Sequence, residues 1–263
     1  MSLFHAEIIK IRVTRSSWLL GAAGAAFWLV SLMLARLQAS QIDATDVPVD
    51  QRLSASELAV ELYTAGTISG ATFMMLFGIV CMSSEFQHRT ASLTFLASPR
   101  RVRVVRAKWG AVALVGLLSW AVATLMNFLL GVWPSAGRLG GLLLSDPGVQ
   151  RAVVASMVAY VLWGGIGVGF GVLVRSQVLA STIALALTFG GTLVISSLVL
   201  LTDVFGGWMG EAVTVFPTLA TLLMMSPPGQ DGLQPWVGAA ILIGWAAGTT
   251  VAGTYALTRR DIP

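Results

Sequence analysis

Apolar residues run in six long stretches, at 18–37, 66–84, 109–133, 152–174, 178–202 and 236–257, separated by polar segments. A helix rising 1.5 Å per residue needs about 20 residues to cross a hydrocarbon layer roughly 30 Å thick, and each stretch meets that length. The pattern predicts an all-α polytopic membrane protein with six transmembrane helices, forming one domain over residues 1–263. Three shorter features complete it. Residues 1–15 place Leu3, Phe4, Ile8, Ile11 and, less well, Ile9 towards one side of a helix, with Glu7, Lys10 and Arg12 on others. This predicts an interfacial amphipathic helix; the alternative is a basic flank that only fixes orientation. Ser54 and Glu57 have the spacing of a capping box, so the second span starts as a helix outside the bilayer. The stretch 212–225 is apolar, interrupted by Pro217 and too short to span, which predicts a re-entrant or interfacial hairpin within 203–235.

The charges between the stretches are sorted. Twelve of the sixteen Lys and Arg residues lie in one alternate set of segments: Lys10, Arg12 and Arg15; Arg89, Arg100, Arg101, Arg103, Arg106 and Lys108; Arg175; Arg259 and Arg260. Nine of the twelve acids lie in the other: Asp43, Asp46, Asp50, Glu57, Glu61, Asp146, Asp203, Glu211 and Asp231. The positive-inside bias makes the first set cytoplasmic, with both termini inside a cell membrane.

Composition narrows the function classes. Only 11% of residues are charged, against about 25% in a soluble domain, and no segment outside the spans is long enough for an independent core. Any soluble catalytic or nucleotide-binding activity therefore sits on another chain. The net charge of +4 suits anionic headgroups and requires no nucleic acid. The apolar part of the first stretch exceeds a signal-peptide core, favouring a retained span.

Packing signals are plentiful and catalytic ones are missing. Small residues recur at helix-packing spacing in the sixth span (Ala240, Gly244, Gly248, Ala252, Ala256) and the fifth (Ala180, Ala184, Thr188, Thr192, Ser196). Gly165, Gly167, Gly169 and Gly171 lie within an apolar helix with no following Lys, so they read as packing positions rather than a phosphate loop. Trp18, Trp109, Trp133 and Trp236 sit at span ends, where interfacial anchoring is expected. No Asp, Glu, Lys, Arg or His lies in the interior of a span, which argues against proton-coupled transport and intramembrane hydrolysis. His5 and His88 are far apart and Cys81 is alone, so neither a metal site nor a disulfide is expected.

The segment 85–108 is the natural docking surface. A short helix from about Arg89 to Ala97 presents Leu93 and Leu96 on one side before Pro99 disfavours helix at Ser98. The alternative is a basic turn on the headgroups. Glu85 and Arg89, four residues apart, form a local helix-stabilising pair in the simpler reading, and in the sharper one Glu85 transmits a partner's motion to the second span.

At these residues the chain resembles the permease subunits of the ATP-binding-cassette (ABC) type-2 exporters. The matching features are Glu7, Lys10 and Arg15 before the first span; Ser84, Glu85, Arg89 and Thr90 leaving the second; Ser98, Pro99, Arg100, Arg101 and then Lys108; and Arg259, Arg260 and Asp261 at the end. The resemblance implies two permease subunits, identical or paralogous, with two cytoplasmic ABC ATPase subunits that carry ATP and Mg, and no cofactor on this chain. It also implies coupling through Glu85, Arg89, Thr90, Leu93, Leu96, Pro99, Arg100 and Arg101. A translocation path would run along the permease interface, with Phe73, Phe77, Thr188 and Thr192 as candidate lining. Such a path, without counter-charges, suits an apolar or amphipathic substrate. The competing expectation is a membrane assembly or signalling subunit that binds partners through the same loop without transport.

Overall fold

The computed structural model describes residues 3–42, 54–87, 101–174, 176–199, 214–227 and 234–259; every regular element among them is a helix. In chain order these are α1 (Leu3–Val13), α2 (Arg15–Ile42), α3 (Ala55–Tyr63), α4 (Thr67–Gln87), α5 (Arg101–Asn127), α6 (Trp133–Leu139), α7 (Pro147–Val174), α8 (Gln177–Val199), α9 (Pro217–Met225) and α10 (Pro235–Arg259). A π-helical turn, Phe128–Val132, joins α5 to α6.

Among the described residues five segments are long and apolar enough to cross a membrane: 15–40, 55–87, 101–137, 147–174 and 235–259. Leu19 and Phe27 on α2, Val122 on α5 and Val251 on α10 are all exposed. Apolar surface on this scale is a liability in water and the ordinary surface of a protein solvated by lipid. The remaining expected span, 178–202, is helical over Gln177–Val199 and is described together with its side chains without a break only to Gly190, so it is not counted among the five.

Helix α7 is the hub, packed against α4, α10 and α5. Its glycines explain this position. A Cβ on Gly167 would strike the Met75 carbonyl of α4, and one on Gly171 would lie 2.8 Å from Met82 Cβ and 2.9 Å from the Ile79 oxygen. Gly169 admits Thr249 of α10, and Gly165 admits the Trp109 ring of α5. The run is thus a set of close helix approaches. Trp109, expected as an interfacial anchor, is drawn inward onto Gly165, whereas Trp18, Trp133 and Trp236 remain exposed at span ends.

The two small-residue rows part company. Ala180, Ala184 and Thr188 of α8 are buried as expected. On α10 the buried row is Gly238, Leu242, Ala246, Thr249, Gly253 and Leu257, while Ala240, Gly244, Gly248 and Ala252 face outward. Spacing alone permits either face of α10. The contact between Gly253 and Val172, with Ala220 of α9 seated against Gly238, selects the other one.

Outside the main spans, the capping box forms as the spacing predicts: Ser54 Oγ accepts from the Glu57 N–H at 3.2 Å, and Glu57 Oε2 accepts from the Ser54 N–H at 2.9 Å. The helix it starts is separate from α4, the chain breaking at Thr64–Gly66, where Gly66 has φ +74°. Buried Asn127 satisfies the break: its Nδ2 donates to the Tyr63 and Ala65 carbonyls, both at 3.0 Å, while its Oδ1 accepts from Trp28 Nε1 at 3.1 Å. The π turn follows at once, ahead of Pro134, which has no N–H for the Leu130 carbonyl.

Pro217, which breaks the apolar stretch 212–225 in the sequence, begins α9, where a missing N–H is harmless. Buried Thr221 of α9 accepts a 2.9 Å bond from Trp163 Nε1, and Thr218 donates to the Thr188 carbonyl at 3.2 Å. Arg151 Nη2 donates to the Ser226 carbonyl at 2.9 Å, so α9 ends beside the start of α7.

The segments of the basic set gather at one end. There α1 meets the end of α4 and the start of α5, and the Arg101 guanidinium donates to the Leu257 carbonyl near the end of α10. The other end holds α3 and the loop before α7, linked by Tyr63 Oη donating to the Leu142 carbonyl at 2.9 Å.

Candidate functional site

Four charges from three helices meet at the basic end. Glu7 and Lys10 come from α1, Glu85 from the last turn of α4, and Lys108 from the second turn of α5. Lys108 Nζ lies 2.7 Å from Glu7 Oε2 and 2.9 Å from Glu85 Oε1. Lys10 Nζ lies 3.0 Å from Glu7 Oε1 and 2.8 Å from Glu85 Oε1. Lys108 also donates to the Cys81 carbonyl at 3.2 Å.

Two carboxylates and two ammonium groups make the cluster formally neutral, which is what allows its burial. Lys108 is 1% exposed and both glutamates are buried, whereas the Lys10 side chain is 48% exposed. A buried ion requires pairing because desolvation costs several kcal/mol per charge. Burial opposes the charge on Lys10, but the hydrogen bonds it donates to Glu85 and Glu7, together with their negative charge, outweigh it and raise its pKa.

The cluster revises the view of α1. Its buried residue is Glu7, not a member of the apolar stripe, and Phe4 and Ile9 are exposed. Ile11 packs against the core, and the Phe4 ring lies over Gly110. Helix α1 is therefore held to α4 and α5 by charge as well as by apolar contact. The one sign of this in the sequence is that Glu7 and Glu85 are acids within the otherwise basic set of segments, but nothing in it says which of the twelve bases they would meet.

Of the residues expected to couple to a partner, Glu85 and Arg101 lie at the two edges of the segment between α4 and α5. Glu85 is in the charge cluster and Arg101 is bound to Leu257. Arg89, Thr90, Leu93, Leu96, Pro99 and Arg100 lie outside the described residues.

The expected lining residues are divided between two places. Phe73 and Phe77 border a cavity of about 530 Å³ between α2, α4, α5 and α7. Thr188 is elsewhere, buried on α8 with its hydroxyl donating to the Ala184 carbonyl at 2.9 Å. The side chain of Thr192 lies outside the described residues. No group of three or more metal-ligating side chains occurs among the described residues.

The fold and the apolar exterior define the chain as a helical membrane protein with a buried, neutral ion-pair cluster at one end. No protein-family model matches it, and no curated protein matches it by sequence.

Proposed function

We propose that the chain is the membrane-spanning permease subunit of an ABC exporter, working with a second permease subunit and with separate cytoplasmic ATPase subunits that bind ATP and Mg. The observation that carries this reading is the Glu7–Lys10–Glu85–Lys108 cluster. The segment 88–100 leaves α4 two residues after Glu85 and enters α5 seven residues before Lys108. A partner pressing on that segment would push two helix ends already tied to each other and to α1. Displacement would then pass to α4 and α5 as rigid bodies rather than dissipate in a loop.

In this reading the basic end is cytoplasmic, α1 is the connecting helix, 88–100 contains the coupling helix, and α8 completes six spans. The segment 203–235, which contains α9, forms a re-entrant or interfacial hairpin on the outer side, and the protein resides in the cell membrane. The test is affinity purification of the tagged chain from native membranes in mild detergent, with identification of partners and assay of ATP hydrolysis. A stoichiometric ATPase that is lost in the Leu93→Asp, Leu96→Asp double variant is expected. Recovery of the chain alone, or with partners that hydrolyse no nucleotide, would overturn the reading in favour of an assembly or signalling subunit.

A further inference from the structure

The cavity between α2, α4, α5 and α7 is lined almost entirely by residues of the apolar stretches. Its α5 lining runs from Val115 to Met126, seven to eighteen residues beyond Lys108. At 1.5 Å per residue this places it about 10 to 27 Å past the charge cluster, inside a layer roughly 30 Å thick. Its volume, about 530 Å³, falls within the range of small-molecule sites.

Two features shape the space for an occupant. Gly21 and Gly24 line its α2 wall, and a Cβ on Gly21 would meet nothing within 4 Å, so the wall is open there. The second feature is Tyr160 of α7. It is 3% exposed and borders the cavity, and among the described residues its hydroxyl makes no hydrogen bond. Neighbouring buried polar groups are paired, as with Trp120 Nε1 donating to Ser156 Oγ at 3.0 Å. The ring is buried but the hydroxyl is not closed off, so it remains open to a hydrogen-bond acceptor that a ligand oxygen would supply.

We propose that this cavity binds a single lipid-like molecule, an apolar body with one oxygen acceptor that takes a hydrogen bond from Tyr160. The assignment stands on the cavity alone and holds whatever proteins bind the basic end. Depth excludes a charged ligand, because no Asp, Glu, Lys, Arg or His lines the space.

The test uses the full chain in phospholipid nanodiscs and a photoactivatable diazirine analogue of palmitate methyl ester, with the diazirine alkane of equal length as the oxygen-free control. Saturable labelling of the α2 and α5 lining is expected, competed by unlabelled ester. Gly21→Phe fills the open wall and should abolish saturable labelling. Tyr160→Phe should weaken the ester about 2- to 10-fold and leave the alkane unchanged, as loss of one hydrogen bond requires. The ester-to-alkane comparison in Tyr160→Phe decides the matter should Gly21→Phe fail to fold. Labelling that is non-saturable and unaltered in the variants would mean ordinary annular lipid. Cross-linking of a second copy's helix into the cavity would give it to a protein surface. Either result overturns the proposal.

Discussion

Two lysines contact the same two glutamates at nearly the same distances, and only burial separates them. Lys108 Nζ is 2.7 and 2.9 Å from Glu7 and Glu85; Lys10 Nζ is 3.0 and 2.8 Å from them. Distance alone predicts equal contributions, since a unit pair at 2.7 Å attracts by roughly 6 kcal/mol at an effective dielectric of about 20. Exposure reverses that expectation. Lys108 is 1% exposed, so Lys108→Met leaves two buried carboxylates with only a half-exposed ammonium between them, a loss of about 3–5 kcal/mol. Lys10 is 48% exposed, water already screens it, and Lys10→Met should cost about 0–1 kcal/mol. Adding Glu7→Gln to Lys108→Met removes one charge of each sign, and the pair should cost about 1–3 kcal/mol less than the sum of the singles. Equilibrium unfolding in mixed micelles by titration with dodecyl sulfate measures all four. Equal losses for the two lysine variants, or strict additivity of Glu7→Gln with Lys108→Met, would refute the argument that burial governs the cluster.

Other outcomes follow from single contacts. Asn127→Leu strands the Tyr63 and Ala65 carbonyls and should cost about 2–4 kcal/mol in the same titration, with faster amide exchange at the α3–α4 break. Gly167→Ala should disrupt the α4–α7 contact and lower the folded yield, whereas Gly21→Ala should be neutral; comparable yields for both would contradict the packing described. Asp146 caps α7; the Val149 N–H foremost lowers its pKa, desolvation opposes it, and Ser56 and the Gly148 N–H add to the lowering, which prevails. Its contribution is therefore fully present above the ordinary value of 3.8 and lost as pH falls through the lowered folded value. Exchange at Gly148 and Val149 should quicken in that acid window, and Asp146→Asn should abolish the dependence. Ser54→Ala should fray α3 by about 1 kcal/mol, seen as loss of amide protection at Glu57.

Local rules in the sequence determined the elements. Lengths of apolar residues gave the helices α2, α4, α5, α7 and α10, because crossing a hydrocarbon layer is a matter of length and polarity. The Ser54–Glu57 cap and the packing role of the α7 glycines were legible for a related reason: each is a pattern of residues close in the chain. Faces were not legible. The small-residue row read on α10 and the face that is buried both satisfy helical spacing, and only its neighbours α7 and α9 decide between them. Nor was the charge cluster, whose members Glu7 and Lys108 are 101 positions apart. Each reads alone as an ordinary edge charge, and burial becomes tolerable only when the tertiary fold brings two opposite pairs together. Sequence thus set which segments enter the membrane; the tertiary structure decided which side chains are withdrawn from lipid and water, because pairing between distant helices is what makes that withdrawal affordable.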